Sequence, residues 1–175
     1  KKNANLIDNG TGKFSDIDTD TLEYLKWLGC SHVWYTGVIR HATQAAEEGC
    51  TASHPQFVKG KAGSPYAICD YYDVNAYLAD NPENRMSEFE LLIKRTHEAG
   101  LKVIIDFVPN HVSRDYGKIT PSSGHPMLGR GDDKTVHWKE ENDFYYYPGQ
   151  KLTLPTPVPA GMEPYNEYPA MATGN

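Results

Sequence analysis

Lys102-Val103-Ile104-Ile105-Asp106-Phe107-Val108-Pro109-Asn110-His111 is the stretch on which the reading of this chain turns. Its opening residues form a continuous run rich in β-branched side chains, the kind that a parallel sheet buries on both faces. Directly before it lies a well-marked helix. Ser87 and Glu90 spell an S-x-x-E capping box, Phe89, Leu92, Ile93 and Thr96 follow the helical spacing, and Gly100 is placed to end it. Further back, Ser31-His32-Val33-Trp34-Tyr35 is a short apolar and aromatic run that reads as a buried strand. A first helix, from about Thr19 to Leu28, precedes that strand: Asp18 and Asp20 suit its positive end, Leu22, Leu25 and Leu28 share a face, and Gly29 stops it. Strand, crossover helix and strand make a βαβ unit, so the fold class is α/β with a parallel sheet.

Between the two strands, Thr36 to Arg85 reads as a long irregular connection with the hint of a short helix around Thr43 to Glu48. A connection of that length inside a domain is usually a functional loop. Beyond Pro109 the pattern dissolves into Gly, Pro, Ser and aromatic residues. The cluster Phe144 to Tyr147 reads as apolar filling, and the proline-broken stretch Leu152 to Pro159 as at best an edge strand. Its aromatic content marks this segment as an excursion from the main domain rather than a solvated linker.

Composition narrows the function classes. A formal charge of −6 over 175 residues argues against a nucleic-acid or membrane-surface partner, since both are anionic, and favours a neutral substrate. No apolar run approaches the ~20 residues that span a bilayer. Cys30, Cys50 and Cys69 are odd in number, widely spaced and free of a C-x-x-C pattern, so they read as plain thiols rather than a disulfide framework or zinc site.

In parallel α/β architectures the polar residues at the C-terminal ends of strands line the functional face. Asp106, Asn110 and His111 are placed there, a carboxylate, an amide and an imidazole within one turn, able to hydrogen-bond sugar hydroxyls; the Asn110 carbonyl oxygen is also a hard ligand suited to calcium. Taken alone, those residues fit equally well a strand-end carboxylate that satisfies backbone groups and an ordinary loop histidine.

The pattern D-x-x-x-N-H after a strand resembles the first conserved region of the α-amylase family, glycoside hydrolase family 13. Two further segments resemble the same family in the same order: Leu22 to Trp34, similar to its first helix and second strand, and Gly63-Ser64-Pro65-Tyr66-Ala67-Ile68-Cys69-Asp70-Tyr71-Tyr72-Asp73-Val74-Asn75, similar to the segment before its second barrel helix. The resemblance implies a partial TIM (β/α)8 barrel over residues 1–116, with about two strands and a crossover helix, followed by an irregular, incomplete domain B-like insertion over 117–175. It implies that Tyr66 stacks on the sugar at the cleavage subsite, that His111 hydrogen-bonds that sugar, and that Asp106 is a supporting carboxylate. Asp70 would be structural, Asn110 would bind a structural calcium, and Phe144 to Tyr147 would help shape the cleft. The expected substrate is an α-glucan or maltooligosaccharide, cleaved with retention. The family's three catalytic carboxylates lie on its fourth, fifth and seventh strands and map to no residue here, so the isolated chain is expected to be an inactive fragment that self-associates through exposed barrel faces. The alternatives are a non-catalytic carbohydrate-binding protein and a trehalose synthase or α-1,6-glucosidase parent.

Overall fold

The computed structural model describes residues 12–45, 51–117 and 124–172. Helix α1 (Thr19–Trp27) starts at Asp18, whose carboxylate accepts from the Thr21 amide at 2.8 Å. The Thr21 hydroxyl, and after it the Thr21 amide, holds the Asp18 carboxyl below its ordinary range. The expected apolar face of α1 is narrower than its leucines suggest: Leu22 alone is buried, and Leu28 is exposed. Gly29, at φ 90°, ends the helix and turns the chain into strand β1 (His32–Tyr35).

The connection read as irregular contains an antiparallel pair, strand β2 (Ile39–His41) with strand β3 (Ile68–Val74), whose register shifts on both sides of Arg40. Polar residues inside both strands hide their alternation. Asn75 ties the pair together, donating to the Gly37 carbonyl at 2.9 Å and accepting from the His41 amide at 3.2 Å. Residues 43–45 of the expected short helix are not helical, and 46–48 lie outside the described residues.

Helix α2 (Arg85–Glu98) begins two residues before the expected Ser87. A 3-10 turn, Pro82–Asn84, leads into it, and proline's fixed φ suits the first helical positions. Ser87 therefore lies inside the helix, where its hydroxyl donates to the Asn84 carbonyl at 2.8 Å. Glu88, rather than Glu90, folds back to accept from the amides of Asp80 and Asn81. Phe89, Leu92 and Thr96 form the buried face as expected. Thr96 donates to the Leu92 carbonyl, so its oxygen accepts from the Tyr35 hydroxyl at 2.8 Å, a buried polar link from α2 to β1.

Strand β4 (Lys102–Ile105) pairs in parallel with β1, Val33 opposite Val103 and Trp34 opposite Ile104. This completes the expected crossover, and its core gathers Phe14, Tyr35, Val38, Val74, Phe89 and Leu92. The expectation that β4 is buried on both faces does not hold. Among the described residues its sheet has two strands, and Ile104 stays 46% and Ile105 38% exposed.

The last segment is held by strand β5 (Tyr145–Tyr147), antiparallel to strand β6 (Ala170–Ala172). Only part of the tyrosine cluster fills a core: Tyr146 is buried and Phe144 packs beside Val112, Tyr116 and Met127, while Tyr145 and Tyr147 are exposed. Leu152 to Pro159 forms no strand, its prolines withholding ladder donors. Cys30 is half-buried and Cys69 buried, both free thiols; Cys50 lies outside the described residues. No helix among the described residues is long and apolar enough to cross a membrane.

Candidate functional site

The loop after β4 is built around Tyr71. The Asp106 amide reaches the Tyr35 carbonyl at 3.4 Å, extending the parallel ladder by one residue. The chain then leaves the sheet, and the Tyr71 hydroxyl, carried by β3, donates to the Val108 carbonyl at 2.6 Å and lies 3.3 Å from that of His111. Burial pushes the Tyr71 phenol up, so it keeps its proton and stays a donor. The Phe107 ring packs 5.3 Å from that of Tyr71. Asp106, Phe107, Tyr71 and Tyr72, with apolar residues that include Val38 and Phe89, line an open hollow of about 440 Å³.

Asn110 is exposed, and its side-chain amide lies 3.3 Å from His111 Nδ1. With the amide as donor, Nδ1 is the acceptor and the ring proton sits on Nε2. His111 Nε2 is buried and has no hydrogen-bond partner among the described residues. Asp70 is fully buried on β3; one carboxylate oxygen accepts from the Tyr72 amide at 2.8 Å, and the other has no partner among the described residues.

Tyr66 reaches the same end of the sheet by another route. It belongs to the turn Ser64 to Ala67, closed by the Ala67 amide on the Ser64 carbonyl at 2.9 Å. Pro65 in that turn packs against Gly37, two residues past the C-terminal end of β1. Gly63, at φ 71°, lets the chain enter the turn against the Ala42 carbonyl, where a Cβ would collide. Asp106 and His111 are thus brought into one loop, and exposed Tyr66 stands at the matching end of the neighbouring strand. No hydrogen bond or ring contact joins Tyr66 to that loop among the described residues.

Two buried polar clusters behind the site were not foreseen. Asp73 is gripped by Arg85, through Nε at 2.7 Å and Nη2 at 3.0 Å, and by Arg40 Nη1 at 3.0 Å, which fastens β2, β3 and the start of α2 to one carboxylate. Asp115 accepts from the Ser53 hydroxyl, from Ser113 at 2.5 Å and from the Cys69 thiol at 3.1 Å. Burial, with the Asp115 charge, pushes the Cys69 thiol far up. Arg40 in β2, Arg85 at the start of α2 and the two aspartates of β3 were the available signal.

For calcium, Asn110 supplies one exposed amide oxygen. No group of three or more His, Cys, Asp or Glu side chains among the described residues is placed to hold a metal ion. Since calcium takes about six to eight oxygens, carbonyls and amides as well as carboxylates, Asn110 would be one ligand among several.

The chain is 30% identical over 115 residues to maltase A1 of Drosophila melanogaster, covering 65% of this chain and 16% of that protein. It is 27% identical over 140 residues to an alpha-glucosidase of Pediococcus pentosaceus, covering 79% of this chain and 19% of that protein. The chain therefore spans less than a fifth of these relatives. The structure of an alpha-amylase from Lactobacillus plantarum superposes with a TM-score of 0.46 at 30% identity, over 60% of this chain and 21% of that one. The family model for the alpha amylase catalytic domain matches residues 4–169, nearly the whole sequence, and so this chain belongs to the alpha-amylase family of glycoside hydrolases.

Proposed function

We propose that this chain carries part of the substrate-binding face of a retaining glycoside hydrolase acting on α-glucosidic bonds of starch or maltooligosaccharides. The observation that carries the reading is the parallel β1–β4 pair, which presents Tyr66 beyond one strand and the Asp106 to His111 loop beyond the other. Tyr66 offers an exposed ring for a sugar's apolar face, and His111 Nε2–H, buried and without a partner among the described residues, donates to a sugar hydroxyl only when the side chains covering it give way. Asp106, beside the aromatic wall of the hollow, supports the charges of the site. Asp70, buried in β3, has a structural role, accepting from the Tyr72 amide. Maltase A1, the alpha-glucosidase and a trehalose synthase of Pimelobacter are named for different substrates, so the class of bond is the level at which the substrate is proposed.

Retaining hydrolysis needs two carboxylates about 5–5.5 Å apart across the scissile bond. The resemblance puts those groups on strands other than β1 and β4, and two strands do not close an eight-stranded barrel. The 175-residue chain is therefore expected to bind maltotriose weakly and to hydrolyse nothing. An NMR titration should move the Tyr66 and His111 ring resonances, and Tyr66→Ala should abolish those His111 shifts. Release of reducing sugar by the sequence-verified chain, or a titration that leaves both rings unmoved, overturns the proposal. Calcium, if bound, takes the Asn110 amide oxygen as one of several ligands, so millimolar calcium should raise the thermal midpoint of the chain and Asn110→Ala should remove that rise.

A further inference from the structure

The segment that carries Tyr66 is fastened to β2 and the residues after it. The Ala42 amide donates to the Ala67 carbonyl at 2.8 Å, and the Gln44 amide to the Lys61 carbonyl at 3.0 Å. A further tie runs through a side chain: His41 Nε2 lies 3.3 Å from the Ala62 carbonyl, next to Gly63. Unlike the two backbone bonds, this one includes a ring that gains a proton not far below neutral pH.

His41 reaches the same turn by a second route. Its Nδ1 lies 2.7 Å from the Asn75 side-chain amide, and that amide also donates to the Gly37 carbonyl at 2.9 Å. Gly37 packs against Pro65, the residue before Tyr66. Nδ1 accepts from Asn75 only while it carries no proton. Once it is protonated, an N–H faces the Asn75 donor, and the Ile39 carbonyl, 3.3 Å from Nδ1, receives the new proton only if that amide withdraws. Among the described residues no carboxylate pairs with the ring. Arg40, beside it in β2, shares Asp73 with Arg85; the Cys69 thiol donates to Asp115; the Tyr77 hydroxyl meets Nε2 at 3.0 Å. His41 is 8% exposed, so an imidazolium there is poorly solvated, and burial lowers its pKa. The neutral ring is thus the form that fits the fold, and acid removes it.

We infer that His41 is a positioning residue for Tyr66: its neutral ring holds the turn from Ala62 to Ala67 in place, and its protonation displaces the turn and weakens saccharide binding there. The binding half rests on the proposed glucan reading, and the test separates the two. In the free 175-residue chain, NMR follows the His41 ring and the amides of Gly37, Gly63 and Tyr66 from about pH 8 to about pH 5. These amides should shift with the midpoint of the His41 ring, and in His41→Gln, which accepts a hydrogen bond without titrating, they should stay fixed. Maltotriose titrated at each pH should bind at the Tyr66 ring with an affinity that falls by up to about tenfold per pH unit below that midpoint. Amides of the native chain that ignore the His41 midpoint overturn the inference, whether or not the variant folds, and leave the Tyr66 to His111 site standing. Amides that follow it beside an affinity independent of pH overturn the binding half. Amides that follow it with no maltotriose response at any pH overturn the glucan reading and keep His41 as the anchor of the turn.

Discussion

Gly63 and Gly60 share a backbone conformation, φ 71°, that side chains disfavour, yet they differ in surroundings. At Gly60 nothing lies within 4 Å of an added Cβ, whereas at Gly63 the Ala42 carbonyl occupies the place. Gly60→Ala should therefore cost about 1–3 kcal/mol, the strain alone. Gly63→Ala adds a backbone collision and should cost more than the ~1–3 kcal/mol of strain by itself; urea unfolding of both variants reads the difference. The two should unfold at distinctly different midpoints, and equal midpoints would remove the tight approach that delivers Tyr66. Asp73 is the second test at this scale. Asp73→Ala removes the buried carboxylate that bonds both Arg40 and Arg85, a change that costs about 3–5 kcal/mol by urea unfolding. Asp106, Asn110 and His111 were legible from sequence because six consecutive residues carry them. The Arg40–Asp73–Arg85 cluster was not, because its members are joined only by the pairing of β2 with β3 and the entry into α2.

Among the elements, α2, β1 and β4 follow directly from periodicity and apolar runs, and their order alone predicts the parallel crossover. β2 and β3 do not, since Arg40, His41, Asp70 and Asp73 interrupt the pattern with groups whose partners become visible only on folding. His41 shows how such an element is held. Its Nδ1 lies 2.7 Å from the donating amide of Asn75, which requires that nitrogen unprotonated, and Tyr77 and the Ala62 carbonyl meet Nε2. Burial lowers the His41 pKa below the value near 6.5 that it takes in the unfolded chain. The unfolded state then binds the additional proton first, so stability from this residue is complete above about pH 6.5 and falls as pH drops through that value toward the folded pKa. A series of thermal midpoints between pH 7.5 and 5 should decline more steeply for the native sequence than for His41→Gln, which accepts a hydrogen bond without titrating. Parallel declines would mean that protonation of His41 does not loosen the β2–β3 pair.

At the scale of the whole molecule, the two-stranded parallel sheet leaves a face that neither helix covers. Trp34 and Ile104 stand opposite each other in the register and are 62% and 46% exposed. Tyr24 and Trp27 stack at 5.7 Å on α1, adding a second exposed apolar surface next to Leu28. Apolar patches of this kind mark surfaces that associate. Burying them removes apolar area from water at about 25 cal/mol per Å², so even partial coverage by a second copy competes with dispersal at high concentration. Sedimentation of the purified chain should show a mean mass that rises with concentration, and ammonium sulfate should strengthen the effect as excluded salts strengthen apolar burial. A contact held by surface charges would respond in the opposite sense, because salt screens it. Trp34→Lys and Ile104→Lys place like charges on the contact face without entering the core around Phe89 and Leu92. They should return the chain to a monomer while leaving its far-UV spectrum unchanged. A native chain that stays monomeric at several hundred micromolar, or lysine variants that associate as before, would show that this face is not the one through which copies meet.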